Sequence, residues 1–387
     1  MEGKRVIVGV SSSIAIYRAL ELIRELRKRG VGVTVIMTKN ATRLISPITF
    51  QALSGSRVHL ETFDPNHTGI SHIGLSEQAD LFLLMPATAN LIGKLAAGIG
   101  DDLLTTFALA YDGPRLIVPA MNDRMWKSAV VKRNQEVLTG YGYEFIGPVS
   151  GPLASGRIGI GHIAPTQLVL ERTISILEGR KGLKGHRLLI TGGRTEAPID
   201  PVRVITNRAS GRMALSLARK AIGRGGEVLL ITGPVEIEIP EWIPTLQIRT
   251  WSDLKRELEQ RIDQFDCLFM AIAVNDYHLD AATAKLKQPE LQITLKRTPD
   301  IIKGLPKRRQ FRVGFSLETG DHVELGKKKL EEKGVDIVVA NTTEALGRDR
   351  TRAWLIEKSG VTDLGVIEKD ELAHLLLDRY LSWSATS

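Results

Sequence analysis

Short apolar runs alternate along the chain with longer stretches in which apolar residues recur every three or four positions, and the alternation starts afresh midway. Residues 4–10 (KRVIVGV) read as a buried strand ended by Ser11-Ser12-Ser13. Ile16, Ala19, Leu20, Ile23 and Leu26 then share one helical stripe, Gly30 closes it as a C-cap, and 31–37 is a second strand. At 186–191 (HRLLIT) the pattern begins again: Gly192-Gly193 follow the strand, a long polar stretch leads to a helix over 210–224, and 227–231 is the next strand. Further strands are expected at 80–85, 115–118 and 143–146, and then at 246–251, 267–274, 311–316 and 336–340. A hairpin over AWLIEKSGVTDLGVIE and a helix over 369–382 close the chain. Strands alternating with helices predict parallel sheets covered on both faces. The fold class is therefore α/β, with two doubly wound three-layer domains. Residues 178–185 (EGRKGLKG) are charged and glycine-rich with little to bury, so they read as the linker between domains at 1–180 and 181–387.

Length agrees, since 387 residues suffice for two or three domains. Apolar residues at 43% and charged residues at 25% describe an ordinary globular chain and exclude wholesale disorder. A single cysteine, Cys267, excludes an internal disulfide framework, a four-cysteine zinc site and an iron–sulfur cluster, and points to a reducing setting. The most apolar runs, 81–87 and 267–274, are far shorter than the roughly 20 residues that cross a bilayer. No signal segment opens the chain, so a soluble, cytoplasmic protein without a membrane partner is expected. The charge of +8 raises the question of nucleic acid. Yet Lys307-Arg308-Arg309 and Lys327-Lys328-Lys329 carry no interleaved aromatic residues, and aromatics total only 5%, so no stacking platform for bases is present. Small anionic ligands explain the surplus better.

In open parallel sheets ligands collect at the carboxyl ends of the strands. Four segments of the first half arrive there. Ser11, Ser12 and Ser13 form a small-residue loop before a helix, suited to a phosphate or serving only as caps. Thr38 follows the second strand and adds a hydroxyl. Pro86-Ala87-Thr88-Ala89-Asn90 and Pro119-Ala120-Met121-Asn122 follow the next two, each placing a side-chain amide over the same crevice.

PATAN at 86–90, PAMN at 119–122 and the histidine of SHI at 71–73 resemble the flavin-containing cysteine decarboxylases. With the second-half motifs below, nearly the whole chain resembles the bifunctional phosphopantothenoylcysteine decarboxylase/phosphopantothenate–cysteine ligases of coenzyme A biosynthesis. That resemblance implies a flavodoxin-like flavin domain followed by a Rossmann-like ligase domain. It implies FMN in the first half, its phosphate at Ser11–Ser13 and Thr38 and its ring over Ala87, Thr88 and Asn90. It also implies a catalytic His72 and an Asn122 that holds the substrate carboxylate; His67 lies near enough in sequence to be mistaken for the former. The chain departs from the family at Ser155, where relatives carry a flap cysteine that protonates the enethiolate intermediate. A hydroxyl is a far weaker acid than a thiol of reference pKa ~8.5. Three readings stay open: another donor or water acts, the serine was introduced to trap a state, or the flavin domain is impaired. The last leaves, as the alternative function, a ligase whose first half only binds ligand or builds the oligomer.

In the second half, TGGRT at 191–195, IDPVR at 199–203 and TNRASG at 206–211 form the densest cluster. Gly192 and Gly193 let a phosphate approach the backbone, and Ser210-Gly211 open a helix toward an anion. The spacing is not the dinucleotide GxGxxG, which argues against a nicotinamide-dependent oxidoreductase. The resemblance implies that a nucleoside triphosphate, CTP in bacterial relatives, activates 4′-phosphopantothenate as an acyl nucleotidylate that cysteine's amine then attacks. Asn207 and Arg203 match family residues of that site. Asp276 matches the family's nucleotide contact, although Asn275 before it departs from the pattern. Lys285 and Lys287 match a Lys-x-Lys motif that neutralises phosphate charge, and the resemblance makes Phe315 a wall beside the base, with packing in the core as the equal alternative. Mg2+ is expected with the triphosphate, and no dedicated protein metal site is visible. Relatives assemble as homo-oligomers, flavin domains as trimers and ligase domains as dimers.

Overall fold

The structure, a computed structural model, describes residues 1–62, 71–153, 156–306, 310–317, 319–345 and 347–386, with Ser71, His72 and Ala345 described in the backbone alone. These residues divide into two compact units, Met1–Arg180 and Lys181–Ser387.

The first unit is built on a parallel sheet of six strands: β1 (Arg5–Val10), β2 (Gly32–Met37), β3 (Val58–His59), β4 (Leu81–Ala87), β5 (Arg115–Pro119) and β6 (Tyr143–Phe145). Their order is β3-β2-β1-β4-β5-β6. Without the two-residue edge strand β3, which the sequence pattern did not reveal, the order is the flavodoxin-like one. Alternate side chains enter two cores. Val6, Val8 and Leu83 pack with Leu22, Ile23 and Leu26 of helix Tyr17–Lys28. Ile7, Phe82 and Leu84 pack on the other face with Leu91, Leu103 and Leu138. Both faces being dry, these strands are continuous apolar runs rather than alternating ones.

An antiparallel pair, β7 (Val149–Pro152) with β8 (Ile158–His162), forms a hairpin apart from that sheet. Its glycines are required by close approach. The Met121 amide donates to the Gly161 carbonyl at 3.1 Å, and a Cβ on Gly161 would collide with the Met121 carbonyl.

The second unit carries β9 (Arg187–Gly192), β10 (Glu196–Pro198), β11 (Val204–Thr206), β12 (Glu227–Thr232), β13 (Thr245–Gln247), β14 (Cys267–Met270), β15 (Tyr277–His278), β16 (Lys296–Arg297), β17 (Phe311–Leu317), β18 (Ile337–Asn341), β19 (Arg350–Glu357) and β20 (Gly360–Glu368). Eight form one sheet in the order β13-β12-β9-β14-β17-β18-β19-β20. The first six are parallel in the Rossmann order, and the terminal hairpin β19–β20 extends the edge antiparallel. Two sequence-based strands are shorter than expected. The run 246–251 is strand only to Gln247, because Thr250 and Asp253 close a capping box that starts helix Trp251–Arg261. The run 267–274 leaves the ladder after Met270, though Ala271 and Ala273 still donate to Thr191 and Gly193. The polar stretch after β9 contains the β10–β11 pair.

Arg224, fully buried at 0% exposure, fastens this unit together. Its guanidinium donates to the Lys181 carbonyl at 2.8 Å, the His374 carbonyl at 3.4 Å and Asp378 Oδ1 at 2.6 Å. It thus joins the start of the unit to its C-terminal helix, Lys369–Thr386. Arg224→Met keeps the apolar stem and strands these acceptors, so chemical denaturation should show a loss of about 2 kcal/mol; an unchanged midpoint would remove Arg224 from this role.

Candidate functional site

In the first unit, main-chain hydrogen bonds lace the carboxyl ends of four strands into one rim. The Thr38 amide donates to Val10 at 3.0 Å, Ser11 to Pro86 at 3.2 Å, and Ala120 to Ala87 at 3.0 Å. Ser11 is buried, and its hydroxyl donates to the Pro86 carbonyl at 2.7 Å while accepting from the Thr88 amide at 3.0 Å. Its hydroxyl thereby latches β1 to β4. Ser12 has no side-chain partner among the described residues. Ser13 caps the short turn Ile14–Ile16 by accepting from Ala15, and Thr38 accepts from the Ala41 amide. Both hydroxyls use only an oxygen lone pair there, so each keeps a proton to give.

Ala87 is a fully buried floor, Thr88 caps helix Ala89–Ala96, and Asn90 stands exposed on its first turn. Asn122 caps helix Asp123–Lys127 by accepting from Arg124 at 2.9 Å, which leaves its amide N–H groups for a ligand. Asp123 was not singled out from sequence. Its Oδ1 is buried without a partner among the described residues, beneath Gly159, where a Cβ would come within 2.9 Å of the Asp123 Cβ. His72 belongs to helix Ser71–Glu77, but its side chain lies outside the described residues, as do His67 and Ser155.

In the second unit the same edge gathers a second set. Gly193 takes φ 74°, and a Cβ there would come within 2.8 Å of the Gly233 carbonyl, so only glycine fits. Helix Arg212–Gly223 starts two residues later than the sequence pattern implied. Gly211 is its N-cap and makes no side-chain cap bond, so the first-turn amides remain open beside Ser210. Asn207 Nδ2 donates to the Val274 carbonyl at 3.1 Å, which ties it to the segment following β14. Asn275 is buried and donates to the Ile205 carbonyl at 2.9 Å. That departure from the family pattern is thus a structural brace, while Asp276 beside it is exposed. Phe315 is half-buried and packs on the core.

Lys285 and Lys287 are exposed and have no partner among the described residues, whereas Leu286 between them is anchored. The anchor is Asp200, a residue sequence reasoning quoted without assigning it a role. Arg194 was likewise unassigned; its Nη1 donates to the Ala209 carbonyl at 3.2 Å and meets Glu236 Oε1 at 3.1 Å, while its buried Nε has no partner among the described residues. Among the described residues no group of three or more His, Cys, Asp or Glu side chains could hold a metal ion. No helix among them is long and apolar enough to cross a membrane.

The profile of the family described as Flavoprotein matches residues 1–178. That of the DNA/pantothenate metabolism flavoprotein C-terminal domain matches residues 183–383. The chain is 35% identical over 396 residues to the coenzyme A biosynthesis bifunctional protein CoaBC of Escherichia coli (strain K12), covering 99% of this chain and 98% of that protein. To the CoaBC protein of Bacillus subtilis (strain 168) it is 40% identical over 359 residues, covering 90% of this chain and 88% of the other. A crystal structure of the C-terminal domain of a CoaBC protein superposes with a TM-score of 0.47 at 33% identity, over 53% of this chain and 98% of that one. Two doubly wound sheets with these profiles define a pantothenate-metabolism flavoprotein. The chain belongs to the CoaBC family of bifunctional coenzyme A biosynthesis proteins.

Burial opposes ionisation of Asp200, but hydrogen bonds from Val202, Arg203 and Leu286 and the charge of Arg203 outweigh it and hold its carboxyl below the ordinary aspartate range. A depressed carboxyl contributes stability above the unfolded pKa and loses it as pH falls through the folded value. The second unit should therefore lose stability between the ordinary aspartate pKa and more acidic pH, and Asp200→Asn should flatten that part of the acid-denaturation curve. An unaltered curve would count against it.

Proposed function

We propose that residues 1–180 decarboxylate phosphopantothenoylcysteine with bound FMN and that residues 181–387 join 4′-phosphopantothenate to cysteine at the expense of CTP. What carries this reading is the presence in one chain of two ligand edges of different chemistry, one rich in hydroxyls, the other in amides and cations. The relatives named bifunctional align over both halves, which weighs against an idle first half.

The donors of the first crevice suit FMN. Ser12, Ser13 and Thr38 have hydroxyl protons for its phosphate, and the small residues Ala87 and Thr88 leave room for a flat ring above β4 beside Asn90. Ser11 acts indirectly, by fixing the loop. When bound, the flavin supplies a reversible two-electron oxidation that gives carboxylate loss an electron sink. Asn122 donates its amide N–H groups to the substrate carboxylate, and His72 serves as the catalytic histidine. Ser155 occupies the flap position.

In the ligase half the carboxylate needs activation because oxide is a poor leaving group, whereas a nucleotide monophosphate is a good one. The open first-turn amides at Ser210-Gly211, with the backbone at Gly192-Gly193, receive phosphate oxygens. Lys285 and Lys287 neutralise charge, Asp276 and Phe315 hold the nucleoside, and Arg203 binds an anionic group of the acid. Asn207 stabilises the developing oxyanion. Mg2+ enters with the triphosphate, which supplies much of its own coordination. Exposed apolar side chains in each unit, among them Ile48 at 71% and Ile158 at 82% in the first and Val202 at 65% in the second, suit a homo-oligomer; trimers through the first unit and dimers through the second follow from the resemblance alone. The buried, unpaired Cys267 suits a reducing cytoplasm.

Incubation with 4′-phosphopantothenate, cysteine and CTP should yield the amide and then the decarboxylated amine by mass; an amide that never loses carbon dioxide would remove the first activity. Asn207→Asp should still convert CTP to pyrophosphate while capture by cysteine fails, and unchanged amide formation would exclude Asn207. Thr38→Val should weaken FMN binding about tenfold, one charge-assisted hydrogen bond, with little loss of stability because the Ala41 amide keeps the Thr38 carbonyl as its acceptor. Ser11→Ala, by contrast, should lower the melting temperature as well.

A further inference from the structure

Residues 279–295 contain no helix or strand, yet they bear both lysines of the ligase edge. Two points fasten this segment to the loop after β10. The Ala282 amide donates to the Ile199 carbonyl at 2.9 Å. Leu286 is held by its N–H and its carbonyl together: the N–H donates to Asp200 Oδ2 at 3.2 Å, and the carbonyl accepts from Arg203 Nη1 at 3.1 Å.

Asp200 is the hub of this arrangement. It is only 2% exposed, and all its acceptor capacity is used inward. Oδ1 accepts the amides of Val202 and Arg203, each at 2.8 Å, while Oδ2 accepts Arg203 Nη1 at 3.0 Å in addition to Leu286. One buried carboxylate therefore fixes the main chain of the arginine loop, the direction of the arginine and the midpoint of the lysine pair. A buried acceptor so fully satisfied is costly to disrupt, so its partners move together or not at all.

We propose that Asp200 is a positioning residue that couples the two substrates of the ligase. By holding the Arg203 loop and the Lys285–Lys287 segment as one body, it makes occupation of either anion subsite favour occupation of the other. This rests on the proposed roles of Arg203 with the acid and of the lysines with the triphosphate. An anion on Arg203 orders its guanidinium, which orders the Leu286 carbonyl and so both flanking lysines. A triphosphate on the lysines transmits the same ordering back. Ordering done by the first ligand need not be repeated for the second, which gives positive and reciprocal coupling.

The test is equilibrium binding of CTP to the full-length protein by calorimetry in EDTA, with and without saturating 4′-phosphopantothenate. In the natural chain the acid should tighten CTP about tenfold, within the range of ordinary coupling. Asp200→Asn should abolish that factor while CTP binding alone weakens less, and Asp200→Glu should restore part of it. Leu286→Pro removes the N–H that donates to Asp200 Oδ2, fixes the local backbone and leaves the buried carboxylate itself in place, so it decides the matter should the asparagine variant fold poorly. Its tenfold factor should disappear too. Coupling that persists in Leu286→Pro, or is absent from the natural chain although both ligands bind, would overturn the proposal. If 4′-phosphopantothenate does not bind the natural chain and CTP binds neither in EDTA nor with Mg2+, the ligase assignment itself falls.

Discussion

The parallel ladder is the constraint on which everything else rests. Parallel strands need crossover helices, and helices on both faces bury the parallel strands, so among the described residues only the antiparallel end at β19–β20 shows an open sheet face. What remains is the edge where strands end. In the first unit that edge is laced by the bonds from Thr38 to Val10, Ser11 to Pro86 and Ala120 to Ala87. In the second, Gly233 donates to Gly192, and Ala273 to Gly193. Ser11, Thr38, Ala87, Asn122, Gly192 and Gly193 stand at or within a few residues of such a tie, Asn207 is fastened beside one through Val274, and the lysine segment is held instead through Asp200.

The two units use this edge differently. The first offers hydroxyls of short side chains, two of which, Ser13 and Thr38, also accept local backbone N–H groups. The second offers a glycine-bounded helix start with Arg194 and Arg212 beside it and, on the segment fastened to the loop after β10, two exposed lysines. A bound flavin suits the first, where small donors permit a close fit. The triphosphate of the proposed function would suit the second, where cations attract at a distance and bring exposed, adjustable side chains.

The apolar runs at 4–10, 81–87, 186–191 and 311–316 were legible because strands buried on both faces leave an unbroken hydrophobic trace. So were the glycines after β9 and the amide turns at 86–90 and 119–122, since their residue types have few other uses. What escaped were elements held by partners remote in sequence: β3 with two residues, the β10–β11 pair, and the ends of β13 and β14, where a capping box or a departing loop overrides strand preference. The functional detail was lost in the same manner. Nothing local in Ile199-Asp200-Pro201 reveals that the carboxylate reaches Leu286, and nothing in three consecutive serines shows that the first is buried against Pro86 while the other two are half-buried.

Cys267 sits in β14 at 0% exposure, and burial, with Asp266 second, pushes its thiol well above the ordinary range. Its strand lies between β9 and β17, in the middle of the second sheet. The protein is therefore chemically silent toward thiol reagents while that sheet is closed. Modification of this one sulfur can proceed only as fast as the sheet opens, so the chain carries a built-in clock for the opening of its second unit. The same silence lets a cysteine placed at any exposed position be labelled alone.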